Sequence, residues 1–272
     1  MKLQLVPART GLLWVRLGVR VFWRQPMALT ALFFLCMGCM SIVTLLPLVG
    51  TVLALAMIPA VTLVMMVAAA QTHLGKRPAP SLLMAALRSG RERARDLAVL
   101  GLLYAVCFLL VLALSALVDG GEFARVYVGM APLTKELAES PAFEAAMWLA
   151  VLLYVPLSLL FWHAPALVHW WGVPPVKAMF FSTIACLRNL GAFTVYGLGW
   201  AGLFMATGIA VSLVLTVASE LGMGTGMATS LLVTTAIVLA TMFFSSVVFS
   251  FRDCFEPTEN RPAEADGPGA PS

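Results

Sequence analysis

The densest run of chemically capable side chains is Trp162-His163-Ala164-Pro165, followed at once by His169, Trp170 and Trp171. A proline inside a helix removes a hydrogen-bond donor, frees a carbonyl and bends the segment. In hydrocarbon the freed groups need partners from protein or water, so the bend should face a bundle interior or a cavity. His163 stands beside it, and an ionisable residue inside a membrane span is a functional-site candidate by default. Trp162, His163, Pro165 and His169 therefore make up a candidate intramembrane polar site. The plainer alternative is that His163 is a neutral helix-packing residue. The two histidines are six residues apart, about 120° around a helix, which does not suit one metal ion. No Glu or Cys stands at a supporting position, so no metal is expected, and no cofactor either. His169, Trp170 and Trp171 also read as a simple anchor at the bilayer surface.

Other candidates are weaker. Cys36 and Cys39 spell a CxxC, but it is set in an apolar run without the context of a redox protein, and both read as small packing residues. Ser230, Thr234, Thr241 and Ser245 follow helical spacing, and Gly202, Ala206 and Ala210 recur every four residues. Small residues and hydroxyls at such intervals predict a close contact between the fifth and sixth spans, with a polar pathway as the sharper alternative. There is no Walker A sequence, no HExxH, no intramembrane carboxylate pair and no Gly-x-Ser-x-Gly. The soluble segments are too short for a catalytic domain. An enzyme is not expected.

The elements that would position these residues follow from composition. Of 272 residues 61% are apolar and only 11% charged, against about 25% charged in a soluble domain, which excludes an ordinary soluble enzyme. A net charge of +4 is too dilute for a nucleic-acid-binding chain. A bilayer core about 30 Å thick needs about 20 apolar residues in a helix. Six stretches qualify: 27–46, 51–70, 97–118, 142–168, 191–218 and 228–251, uncharged apart from Glu144 at the start of the fourth. The fold class is all-α, a polytopic transmembrane helix bundle. Pro47 and Gly50 make 27–70 a tight helical hairpin. Residues 1–256 form one membrane domain. The segment 257–272, rich in proline, glycine and acids, reads as a disordered tail.

Fifteen of the seventeen lysines and arginines fall on one side of these spans; only Arg125 and Lys135 lie opposite, in a segment with five acids. Basic loops stay in the cytoplasm, so both termini are expected there. Arg9, Arg16, Arg20 and Arg24 share an arc of about 80° on one helix, with Trp14 on another face. That suits a helix in the headgroup region with its rings in the acyl boundary, or else one packed on the bundle whose charges only set orientation. Residues 81–95, capped by Ser81, should bring Arg88, Arg91 and Arg95 onto one face of a second such helix. A third, 176–190, follows Pro174-Pro175. These cytoplasmic amphipathic helices make Arg9, Trp14, Arg16, Arg20, Arg24, Arg88, Arg91 and Arg95 the candidate lipid-surface residues, with anionic lipid as the expected partner. Each helix feeds an outward span, and the inward second and fourth spans carry Pro59 and Pro165. The pattern fits three copies of one unit.

The stretches Leu5-to-Met27, Leu45-to-Leu53, Leu160-to-Ser182, Arg188-to-Leu198 and Phe249-to-Glu256 resemble an uncharacterised family of bacterial six-span integral inner-membrane proteins, mainly proteobacterial. The resemblance implies a multi-pass inner-membrane location and transfers no functional residues. Two functions remain open on the sequence. One is a non-catalytic protein that organises lipid or membrane-protein partners through its basic helices. The other is a carrier for a small neutral or amphipathic solute, or a lipid, at the broken fourth span.

Overall fold

The computed structural model describes residues 3–84, 90–220 and 225–255. Among them there is no strand. The first unit comprises α1 (Thr10–Arg24), α2 (Pro26–Thr44) and α3 (Gly50–His73). A 3₁₀ turn at Pro80–Met84 then precedes α4 (Arg91–Asp119), α5 (Glu122–Tyr127), α6 (Lys135–Ala138), α7 (Pro141–Phe161) and α8 (Ala164–Trp171). The chain closes with α9 (Pro175–Arg188), α10 (Leu190–Glu220) and α11 (Thr225–Phe255). Six segments, with α7 and α8 counted as one, are long and apolar enough to cross a membrane. An even number of crossings returns both ends to one side, here called the basic face.

Local sequence sets many of the boundaries. Pro26, Pro141 and Pro175 each open a helix, where the missing N–H would have had no intrahelical partner. Gly120 and Gly172 adopt left-handed conformations that end α4 and α8. Asp119 secures the next turn, its carboxylate accepting from the N–H groups of Gly121 (2.8 Å) and Phe123 (2.6 Å).

The helices pack in a chain, α2 on α3, α3 on α4 and α4 on α7, while α11 lies against α1, α3 and α2. Two crossings bring backbones together. A Cβ on Gly101 would stand 2.1 Å from the Ala56 carbonyl oxygen, and one on Gly11 would stand 2.0 Å from that of Ala192. Only hydrogen fits, so α3–α4 and α1–α10 meet through Cα–H···O contacts.

Three expectations change. First, α1 does not lay its Trp14 ring in lipid. Trp14 is fully buried against Phe193 and Tyr196 and donates its indole N–H to Asp253 (2.9 Å). The face bearing Trp14, Val15, Gly18 and Phe22 is covered by α10 and α11, so a solid apolar stripe found protein before it found lipid. Second, 81–95 is not one surface helix. Pro80–Met84 is a 3₁₀ turn, and Arg91 starts the helix that runs unbroken into the span, so Arg91 and Arg95 belong to the span's own first turns. Arg88 lies outside the described residues, as does 257–272. Third, α10 and α11 touch sparsely. Gly202 has no neighbour for an added Cβ, and Ala206 and Ala210 are exposed. The hydroxyl stripe splits: Ser230 and Thr234 are exposed, while Thr241 and Ser245 are buried. The reason is α1, which packs on both α10 and α11, and large rings (Tyr196, Trp200, Phe243) hold them apart where they do meet.

The threefold pattern has a structural counterpart. The segment opening each unit packs on spans of the preceding one in cyclic order: α1 on α10 and α11, the 3₁₀ turn on α3, and α9 on α7 and α8. Arg24, before α2, donates to the carbonyl of His73 at the end of α3 (2.9 Å). Arg93, starting α4, donates to the carbonyl of His169 near the end of α8 (3.0 Å). Both bonds satisfy carbonyls that a helix end leaves open.

Candidate functional site

The fourth span breaks at Trp162 and His163, between the end of α7 and the start of α8. Pro165 sits in the first turn of α8, where its missing donor is harmless. A serine from α9 repairs the break. The His163 N–H donates to Ser182 Oγ (2.9 Å), and the Ser182 hydroxyl donates to the Leu159 carbonyl (2.7 Å). The hydroxyl is thus inserted into the helical ladder at the bend.

The His163 ring is wholly buried and fully engaged. Ser250 spends its one hydroxyl hydrogen on the Val247 carbonyl (2.7 Å), so it must accept from Trp162 Nε1 (3.1 Å) and His163 Nε2 (3.2 Å). This makes His163 the Nε2–H tautomer and leaves Nδ1 as an acceptor facing Cys186 Sγ at 3.9 Å. Burial pushes the Cys186 thiol up, with Cys254 adding to the effect, so it stays protonated and can donate. Phe193, Phe251 and Phe255 surround the imidazole. Both ring nitrogens serve internal bonds, and His163 borders neither described cavity.

His169 stands apart from this knot. Its carbonyl takes the Arg93 bond, and its ring leans on Trp170. Trp170 and Trp171 pack on Phe251 at 5.1 and 5.3 Å.

Sequence reasoning missed Ser182, Ser250 and Asn189. Each is a polar residue in or beside an apolar stretch, Ser182 next to Thr183 and Asn189 next to Arg188, and that was the available signal. Asn189 ties down the chain's start. Its Oδ1 accepts from the Val6 N–H (2.8 Å), and its Nδ2 donates to the carbonyls of Gln4 and Ala185 (both 3.0 Å). Asn189→Ala is expected to cost about 2 kcal/mol: the Val6 N–H and the Gln4 carbonyl lose this partner but are only partly buried and can rehydrate, while the Ala185 carbonyl keeps the backbone N–H of residue 189 (3.2 Å). Trypsin should then cleave after Arg9 faster than in the native protein; unchanged cleavage would remove this role.

The basic face holds the lipid-surface candidates. Arg9, Arg16, Arg20 and Arg24 are all exposed, interleaved on the same face of α1 with exposed Leu12, Leu13 and Trp23. Trp23, not Trp14, is the ring this helix presents outward. Arg252 stacks over Phe249 at 5.4 Å, and Phe249 meets the His73 ring at 5.3 Å. Arg20, Arg24 and Arg252 therefore converge around His73, all within electrostatic reach of its ring. Nearby, α9 exposes Val176, Phe180 and Leu187 on the side away from its buried Ala178, Ser182 and Ala185.

The whole chain aligns with a probable inner membrane protein of Burkholderia thailandensis, 38% identical over 274 residues and covering 97% of that protein. The chain belongs to that family of bacterial inner-membrane proteins. No family model matches it, and no solved structure does. For a multi-pass inner-membrane protein the exposed apolar side chains of α2, α7 and α10 meet hydrocarbon rather than water, and their exposure is no defect.

Proposed function

We propose that this inner-membrane protein is a non-catalytic organiser of anionic lipid, and of membrane partners drawn to it, at the cytoplasmic leaflet. The observation that carries the reading is α1: one face is packed on α10 and α11, so the opposite face holds Arg9, Arg16 and Arg20 as a fixed platform. Among the described residues these three form no ion pair or hydrogen bond. Apolar Leu12, Leu13 and Trp23 between the charges suit the headgroup–acyl boundary, where arginine stems lie in apolar material and guanidiniums reach phosphate. The 15-to-2 partition of basic residues supports a cytoplasmic placement of that face and of both termini.

Each guanidinium near the surface contributes about 1 kcal/mol of attraction to anionic lipid, a factor of about five in occupancy. Spin-labelled phosphatidylglycerol should therefore be enriched next to the native protein over phosphatidylcholine, and salt should weaken the preference. Replacing Arg9, Arg16 and Arg20 together by Gln should remove most of it. Arg24 is left in place because it caps α3. Equal association of both lipids with the native protein, or an unchanged preference in the triple variant, would sink the proposal. A reporter fused after Met130 should behave as periplasmic.

A further inference from the structure

A cavity of about 440 Å³ lies in the half of the bundle remote from the basic face. Its walls come from α2, α3, α4, α7 and α11, and the short helix α5 adds Phe123 and Tyr127. That helix is anchored by the Asp119 carboxylate, and it turns its Arg125–Glu122 pair (2.9 Å) away, both side chains being well exposed. The packing order α2, α3, α4, α7 makes a horseshoe, since α7 is not packed substantially on α2 or α11. Because both sides of that gap line the cavity, its mouth lies between them, at membrane depth. At the base of the gap Trp162, Tyr196 and Phe243 close ring against ring.

Among the described residues the lining carries no charge and no side-chain amide. Met37, Met40, Phe108 and Phe244 supply soft, polarizable surface that adapts to a flexible guest. Among the described residues the only side-chain polar groups of the lining are the hydroxyls of Tyr104, Tyr127 and Tyr154, whose rings gather around Phe108 at 6.0, 5.5 and 6.2 Å. Water filling such a space would find few partners, whereas hydrocarbon stands at the door. A ligand pocket is recognised by this combination: a few hundred Å³, mostly apolar, with a few convergent polar groups.

The geometry points to a binding site for one neutral amphipathic molecule that enters sideways from the bilayer. Its hydrocarbon body lies against the methionines and phenylalanines, and its single hydroxyl or carbonyl bonds to the tyrosine hydroxyls. An anionic headgroup is excluded, because no cation lines the space to offset its desolvation. This site stands independently of the lipid platform at the basic face, and either can fail without the other.

The test uses full-length protein in nanodiscs and three photoactivatable probes: a long-chain fatty alcohol, an isoprenoid alcohol, and the fatty acid of the same chain as the first. An alcohol should label peptides containing Tyr104–Leu112 and Ala150–Tyr154, and excess untagged alcohol should compete the label away. Which alcohol labels better identifies the natural source. The variant Tyr104→Phe/Tyr127→Phe/Tyr154→Phe keeps every ring and should lose about tenfold in apparent affinity. Ala150→Phe, which fills the space, should abolish labelling while the thermal midpoint of the protein shows that it still folds. Equal labelling by the ionised fatty acid, labelling spread over the outward faces of Leu152 and Val155, or an unaffected tyrosine variant would each overturn the assignment. If Ala150→Phe fails to fold, the tyrosine variant, which changes no volume in the packing, decides alone.

Discussion

Gly101→Val is expected to be the most damaging single substitution in the spans, lowering stability by about 3 kcal/mol or more. The Gly101 Cα faces the Ala56 carbonyl so closely that a Cβ would overlap it at 2.1 Å. The obstacle is backbone, which cannot rotate aside as a side chain can. To admit a methyl group α3 and α4 must separate, and theirs is among the most extensive helix–helix contacts in the fold. In lipid that separation gains nothing to offset it, since packing rather than water exclusion holds spans together. The measurement is the fraction of detergent-solubilised protein that stays monodisperse after graded heating. Gly38→Val and Gly202→Val serve as controls: both glycines face open space, and their variants should stay within about 0.5 kcal/mol of the native protein. A Gly101 variant no worse than the controls would show that the two helices are not apposed in this way.

The second large effect is expected at Ser182. Replacement by Ala removes one oxygen and orphans two backbone groups, the His163 N–H and the Leu159 carbonyl. Each buried polar group left without a partner costs about 1–3 kcal/mol, so about 3 kcal/mol in total is a moderate expectation. Ser182→Thr keeps the hydroxyl and should recover part of the loss, limited by how well its added methyl fits this fully buried position. His163 provides the specific readout. Its ring orientation depends on the bend that Ser182 completes, so its imidazole NMR resonances should shift in Ser182→Ala and return towards native positions in Ser182→Thr. Loss of stability without movement of the His163 signals would mean that the serine does not set the bend.

These expectations rest on residues that were unequally legible in the sequence. The six crossings and the sorting of basic residues could be read directly, because both are properties of whole segments: length, mean apolarity, and which loop carries an arginine. Which face of a span looks inward could not be read. In water an apolar stripe marks the buried side of a helix; in lipid the outward side is just as apolar, and the stripe loses its meaning. The stripe Gly202, Ala206 and Ala210 shows the consequence, for it looks like a packing seam and faces outward. Trp14 shows the reverse. On a surface helix the stripe rule still applied and marked a buried face, but whether lipid or protein would cover it depended on where α10 and α11 came to rest, which is a matter of distant contacts. At His163 the sequence marked the bend. It could not supply the partners, because Ser182 and Ser250 lie 19 and 87 residues away in the chain.

One feature of α10 reaches beyond folding. Its first three turns are locked against α1, while from Ala201 to Val217 nearly every side chain stands outside the bundle. Natural selection therefore acts on this helix in two regimes. Near Ala192, Tyr196 and Trp200 almost any replacement disturbs a neighbour. Further along, leucine, isoleucine, valine and methionine are interchangeable as long as the stretch remains oily and of the same length. Among descendants of a common ancestor, the two ends of α10 should accumulate changes at very different speeds.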